Sequence, residues 1–205
     1  MAETAHRIVL ASASPRRREL LQQAGWQVRV RPAPVNERRL KGETPRQYVL
    51  RLARLKAKTA AGVHVSRWPI LAADTTVAQT GPDGQHRIYG KPASTAGAKR
   101  MLRQLSGRWH EVWTGIALQD PASGKVWSRA VKTRVRFTEM NNREIEMYAR
   151  SGEPFDKAGG YALQGRAAIF IPEIAGSPSN VIGLPLAEFY RIWKLFEAKT
   201  NARGS

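Results

Sequence analysis

The apolar positions of this chain alternate between two periods. Short apolar runs that fit strands are followed by stretches with a helical stripe, and the sequence of these stretches predicts a mixed α/β fold. Residues 8–11 (IVLA) form a first buried strand. Ser12, Ala13 and Ser14 make a small-residue turn, and Pro15 opens a helix with Ser14 at its N-cap. Gly25 stops that helix, and residues 26–30 read as a second strand with Val28 and Val30 on one face. Thr44-Pro45-Arg46-Gln47 has the capping-box pattern, so a helix is predicted from there to about Ala61. Its apolar stripe contains Tyr48, Val49, Leu52, Ala53, Leu55 and Ala60. A third strand, residues 70–73, runs directly into Asp74, Thr75 and Thr76.

The second half repeats the alternation. Gly81-Pro82-Asp83-Gly84 turns a hairpin that returns through Ile88 to Gly90-Lys91-Pro92. A helix is predicted over 95–105, long strands over 109–119 and 126–137, and a short helix over 142–150. On the second long strand Lys132, Arg134 and Arg136 form a solvated face. Residues 152–165 (GEPFDKAGGYALQG) read as a functional loop with Asp156, Lys157 and Gln164 as its polar candidates. Residues 167–171 read as a strand. The final helix follows Pro185, packed by Leu186, Phe189, Tyr190, Trp193 and Phe196. Residues 1–200 are expected to form a single domain, with 201–205 a flexible tail.

Composition narrows the function classes. The 205 residues are 42% hydrophobic and 24% charged, ordinary for a folded domain, and contain no cysteine. Disulfide scaffolds, thiolate catalysis and cysteine-based metal sites are excluded. No apolar run has the length of a signal peptide or a membrane span, so a cytoplasmic protein without membrane partners is expected. The formal net charge of +18 points to acidic partners: nucleotides, nucleic acid or a membrane surface. The basic residues are scattered, whereas a nucleic-acid-binding protein would cluster them with exposed aromatics.

Four stretches carry candidate chemistry. Arg16 and Arg17 fall in the first turn of a helix whose N-terminus is already partially positive. They read either as an anion site built from N–H groups and guanidinium forks, or as solvated surface arginines. Glu37 reads as a functional carboxylate or as a surface partner of Arg38 and Arg39. Lys56 lies inside the apolar stripe of its helix, so it either snorkels along the core edge or points into a cleft that holds an anion. Asp74, at the end of an apolar strand, reads as a general base, a divalent-metal ligand or a turn cap.

Taken together, LASASPRR, ADTTV, GKP, SGRWHEVWTG, GEPFDKAGGYALQG and GSPSNVIGLPL resemble, in order, the motifs of the Maf family of nucleoside triphosphate pyrophosphatases. The resemblance implies a mixed, elongated α/β sheet flanked by helices, in two lobes around a central cleft, similar to ITPases. It implies hydrolysis between the α and β phosphates with release of pyrophosphate. It also implies a divalent cation (magnesium, manganese or cobalt) and a homodimer. Residue by residue, Asp74 matches the family's proton acceptor. Ser12, Arg17, Glu37, Lys56 and Lys91 match positions lining the triphosphate and metal site, with Glu37 and Asp74 toward the metal. Arg16, Thr75 and Gln164 match positions that separate substrate classes, and Arg, Thr and Gln there are similar to the dTTP- and UTP-hydrolysing subgroup. A subgroup preferring 7-methyl-GTP has an aromatic and a Glu in place of the Arg and Gln. The hairpin through residues 79–87 is longer than the family pattern, and Arg18 is extra to it. The expected partner is a nucleoside triphosphate, with no stable nucleic-acid partner. A basic nucleic-acid-binding protein is the competing reading from another class.

Overall fold

A computed structural model describes residues 6–63, 66–81 and 83–201. Among these the strands are β1 (Arg7–Leu10), β2 (Gln27–Val30), β3 (Ile70–Thr80), β4 (His86–Tyr89), β5 (Trp109–Gln119), β6 (Val126–Arg136) and β7 (Glu173–Ala175). The α-helices are α1 (Pro15–Gln23), α2 (Pro45–Val63), α3 (Thr95–Leu105), α4 (Asn142–Ala149), α5 (Pro178–Ile182) and α6 (Leu186–Asn201). The strands form one seven-stranded sheet in the order β2-β1-β3-β5-β6-β7, with β4 paired to β3, and helices flank it. β1 pairs in parallel with both β2 and β3, so α1 and α2 lie on crossover connections. The hairpin turn at Pro82 and the tail beyond Asn201 lie outside the described residues.

The chain divides into two compact units. The first comprises Met1–Asp74, Thr114–Val131 and Gly183–Ser205. Its core joins α2 to the sheet through small side chains: Ala53, Ala57 and Ala60 meet Val9, Ile70, Ala72 and Ala117. Alanines on the buried stripe let the helix backbone come close. At Gly115 an added Cβ would stand 2.2 Å from the Val49 carbonyl oxygen, so only glycine fits there. α6 contributes Phe189, Ile192 and Trp193 to the interior, and Trp26 packs edge-on to Trp193.

The second unit comprises Thr75–Trp113 and Lys132–Ile182. Its core is larger-grained: Leu102 and Leu105 of α3, Ile145 and Tyr148 of α4, Val135, Phe137, Tyr161 and Phe170. His110 is buried among them, with Nε2 2.7 Å from the Tyr161 hydroxyl.

Several expected boundaries are corrected. β3 does not end before Asp74; it runs on to Thr80. Its register with β1 ends at Leu71, and its antiparallel pairing with β4 begins at Val77, so Asp74 lies between the two ladders. Residues Arg166–Phe170 are a 3₁₀ helix rather than a strand. Leu55 and Tyr190, expected in apolar stripes, are 38% and 46% exposed.

Candidate active site

The site candidates of the first unit are assembled from the β1–α1 turn, the loop after β2, the buried face of α2 and the middle of β3. Ser14 takes the N-cap position of α1, yet its side chain makes no capping bond. Its N–H instead donates to Ser12 Oγ at 3.2 Å. Ser12 Oγ also accepts from Arg17 Nη1 at 3.0 Å. The Arg17 guanidinium reaches across the unit. Nε donates to the Gly183 carbonyl at 2.8 Å and Nη1 to the Ala73 carbonyl at 2.9 Å. Burial pulls the Arg17 pKa down, opposed chiefly by the charge of Asp74. Arg17 therefore ties together the β1–α1 turn, β3 beside Asp74 and the segment before α6.

Asp74 is buried at 7% exposure, an expensive position for a carboxylate unless a cation stands beside it. Lys56 supplies it: Nζ donates to Asp74 Oδ1 at 2.7 Å. The same Nζ lies 2.6 Å from Glu37 Oε1. The side chain of Lys56 is 12% exposed, and that of Glu37 55%. Lys56 is a largely buried cation whose ammonium meets anionic side chains. It lies inside the stripe of α2, as its spacing predicts. Glu37 pairs with Lys56, while Arg39 donates to the Glu43 carbonyl. Burial raises the Asp74 pKa above its ordinary value, and the Lys56 ammonium only partly offsets this. A carboxylate so placed is a stronger base than an exposed Asp. Arg16 is partly buried in the first turn of α1.

Thr75, Lys91 and Gln164 belong to the second unit. Lys91 is exposed in the turn after β4, where the Gly90 carbonyl accepts a hydrogen bond from Gly159 N–H at 3.1 Å. Gly159 has φ +73°, and an added Cβ would stand 2.8 Å from Val77, so glycine alone allows this junction. Gln164 is exposed on the same long loop. Glu153 fixes that loop by accepting from the Tyr148 hydroxyl at 2.8 Å and from Arg166 N–H at 2.9 Å. Asp156 and Lys157 pair with each other at 2.5 Å.

The family model described as "Maf-like protein" matches residues 7–196. The chain belongs to the Maf family. A dTTP/UTP pyrophosphatase of Anaeromyxobacter dehalogenans (strain 2CP-C) is 50% identical over 186 residues, covering 90% of this chain and 91% of that protein. A dTTP/UTP pyrophosphatase of Geobacter sp. (strain M21) is 50% identical over 194 residues, covering 95% of this chain and 97% of the relative. Among solved structures, a HAM1 protein from Coxiella burnetii aligns over 66% of this chain and 74% of its own at 18% identity, with a TM-score of 0.44.

The carboxylates of this Maf chain form a donor set for a divalent cation. Glu37 and Asp74 present hard carboxylate oxygens that already converge on one positive charge. Among the described residues no group of three or more His, Asp or Glu side chains could enclose a metal. Two carboxylates, with water and phosphate oxygens completing the shell, are a donor set that magnesium and manganese accept. The residues fit such an ion.

Sequence reasoning missed three residues around Glu37. Glu43 is 8% exposed, and Arg51 grips its carboxylate with Nε at 2.6 Å and Nη2 at 2.9 Å. Tyr48, expected only as core, donates its hydroxyl to the Glu37 carbonyl at 2.9 Å. The spacing of Tyr48, Arg51 and Lys56 on one helix was the available signal. Among the described residues no helix is long and apolar enough to cross a membrane.

Proposed function

We propose that this chain is a nucleoside triphosphate pyrophosphatase acting on dTTP and UTP, releasing the monophosphate and pyrophosphate. The observation that carries the reading is the buried Asp74 carboxylate, held by Lys56 beside Glu37, in a chain half identical to two proteins named dTTP/UTP pyrophosphatase. Asp74 takes the proton of a water whose oxygen attacks the α phosphorus, while the bond to the β-phosphate oxygen breaks and pyrophosphate leaves. Its raised pKa favours this role. Lys56 orients the carboxylate and partly offsets the cost of ionising it where it is buried. Glu37 and Asp74 would hold a divalent cation, which supplies charge neutralisation for the triphosphate and its leaving group. Ser12, with two donors already on its oxygen, has its own O–H to donate to phosphate. Arg17 and, by the family resemblance, Lys91 are proposed as phosphate-binding residues.

Arg16, Thr75 and Gln164 are proposed to select the base. An amide both donates and accepts, which suits the alternating carbonyl and N–H edge of uracil or thymine. A homodimer acting in the cytoplasm completes the reading, on the strength of the family resemblance. The test is kcat/KM for UTP, dTTP, CTP, GTP and 7-methyl-GTP with pyrophosphate detection. UTP and dTTP should lead; a lead for 7-methyl-GTP, or no release from any of the five, would overturn the assignment.

A further inference from the structure

Glu37 lies on a long loop. Residues 31–44, between β2 and α2, form neither helix nor strand, and the Glu37 side chain is 55% exposed. An exposed carboxylate on such a loop loses conformational freedom when it is held at 2.6 Å from Lys56, and contacts that order the loop beforehand lower that cost. The ordering contacts come from α2 itself. Arg51 forks onto both oxygens of Glu43, and its Nη2 also donates to the Arg38 carbonyl at 3.1 Å. Glu43 Oε2 accepts from Leu40 N–H at 3.0 Å, and Arg39 donates Nε to the Glu43 carbonyl at 3.0 Å. Tyr48 closes the loop from the other side through the Glu37 carbonyl, with the Arg51 guanidinium 5.7 Å from its ring centroid.

We propose that Glu43, Arg51 and Tyr48 are positioning residues, a clasp that holds the 36–43 loop on α2 and so fixes the Glu37 carboxylate beside Lys56 and Asp74. The same helix carries Lys56 and the two donors of the clasp, so the loop is registered against the element that presents the ammonium. A bidentate Arg–carboxylate pair gives the directional hold that a single lysine contact would not. The consequence is specific: the clasp acts through Glu37 and through nothing else in the chemistry. The kinetic part of this inference rests on the pyrophosphatase reading; the structural part stands without it.

The test uses Tyr48→Phe, which keeps the ring and removes one hydroxyl, with Glu37→Gln and the double variant. Pyrophosphate release is followed while the divalent cation is titrated. Tyr48→Phe should raise the cation concentration for half-maximal rate by about 3- to 10-fold, the worth of one hydrogen bond, with kcat at saturating cation within about twofold of the parent. In the Glu37→Gln background it should do nothing further. An equal effect in both backgrounds would mean that Tyr48 supports the fold and not Glu37, and would overturn the proposal. Amide hydrogen exchange without nucleotide gives the independent arm. Tyr48→Phe and Glu43→Gln should each speed exchange of the Leu40 amide and its neighbours in 36–43, while α2 stays protected. Unchanged exchange in that loop would also overturn the clasp. If the parent releases no pyrophosphate from any nucleotide, the pyrophosphatase reading fails, and the exchange arm alone decides the clasp.

Discussion

At the scale of single residues, the pair that governs the candidate site is Lys56 and Asp74. Removing the charge of Asp74 while keeping its size separates chemistry from packing. Under the proposed function, Asp74→Asn should lower kcat by about 10²- to 10⁴-fold, measured as pyrophosphate release at saturating cation. The raised pKa of Asp74 has a second consequence. Asp74 must be ionised to accept a proton, so the acid limb of kcat/KM should lie above the ordinary Asp value of 3.8. Lys56→Met removes the ammonium that partly counters burial, so that limb should move to still higher pH. Methionine fills the core edge well, and the fold should survive. An acid limb that stays in place would show that Lys56 does not set the ionisation of Asp74. The stability effect has the matching sign: burial of Asp74 favours its protonated form, so its contribution is greatest below the unfolded value and is lost as pH rises through the folded one. What the sequence disclosed here is Lys56 on the buried stripe of α2. It did not disclose the partner of Glu37, because adjacent arginines offered nearer ones and only the chain's return places Lys56 beside it.

At the scale of elements, α2 sets where Lys56 stands. Its contact with the sheet depends on Ala53, Ala57 and Ala60, and on the missing side chain at Gly115. Gly115→Ala would drive a methyl group into the Val49 peptide, where backbone cannot swing aside as a side chain would. It should destabilise the protein by about 2–3 kcal/mol or more, the upper range of overpacking, read as a lowered urea midpoint. The start of α2 was readable because capping chemistry is local: Thr44 pairs with Gln47. The length of β3 was not. Its apolar run changes character at Asp74, yet its pairing passes from β1 to β4, so the strand continues. The 3₁₀ helix at Arg166–Phe170 also escaped, because five residues of mixed pattern serve either period.

At the scale of the whole molecule, the charge of +18 draws anions and resists protonation. If the ligand is a triphosphate, kcat/KM should fall as ionic strength rises at fixed free divalent cation, because steering is screened. A flat salt profile would remove charge from the account of binding. Acid stability offers another global readout. Burial pulls the His110 pKa down from 6.5 to about 3. The unfolded chain therefore takes a proton there that the folded chain refuses, and stability should fall as pH drops from 6.5 toward 3. His110→Gln should flatten that slope in denaturant titrations. Glu43 adds to the same loss at lower pH. Arg51 holds its carboxyl below the ordinary 4.5, so its stabilisation fades as pH falls through that region. The order of motifs along the chain was enough to place the family, since each motif sits on a short local segment. The Glu43–Arg51–Tyr48 contacts were not legible, because residue types so common on surfaces reveal a role only through their partners.

The bond that is cut separates a pyrophosphatase from an enzyme that removes the terminal phosphate. Phosphorus NMR of UTP incubated with the protein and a divalent cation distinguishes the outcomes by their products. Cleavage between the α and β phosphates gives UMP and pyrophosphate in equal amounts, and Asp74→Asn should slow the appearance of both by the same factor. UDP with inorganic phosphate, or UTP left intact, would contradict the account.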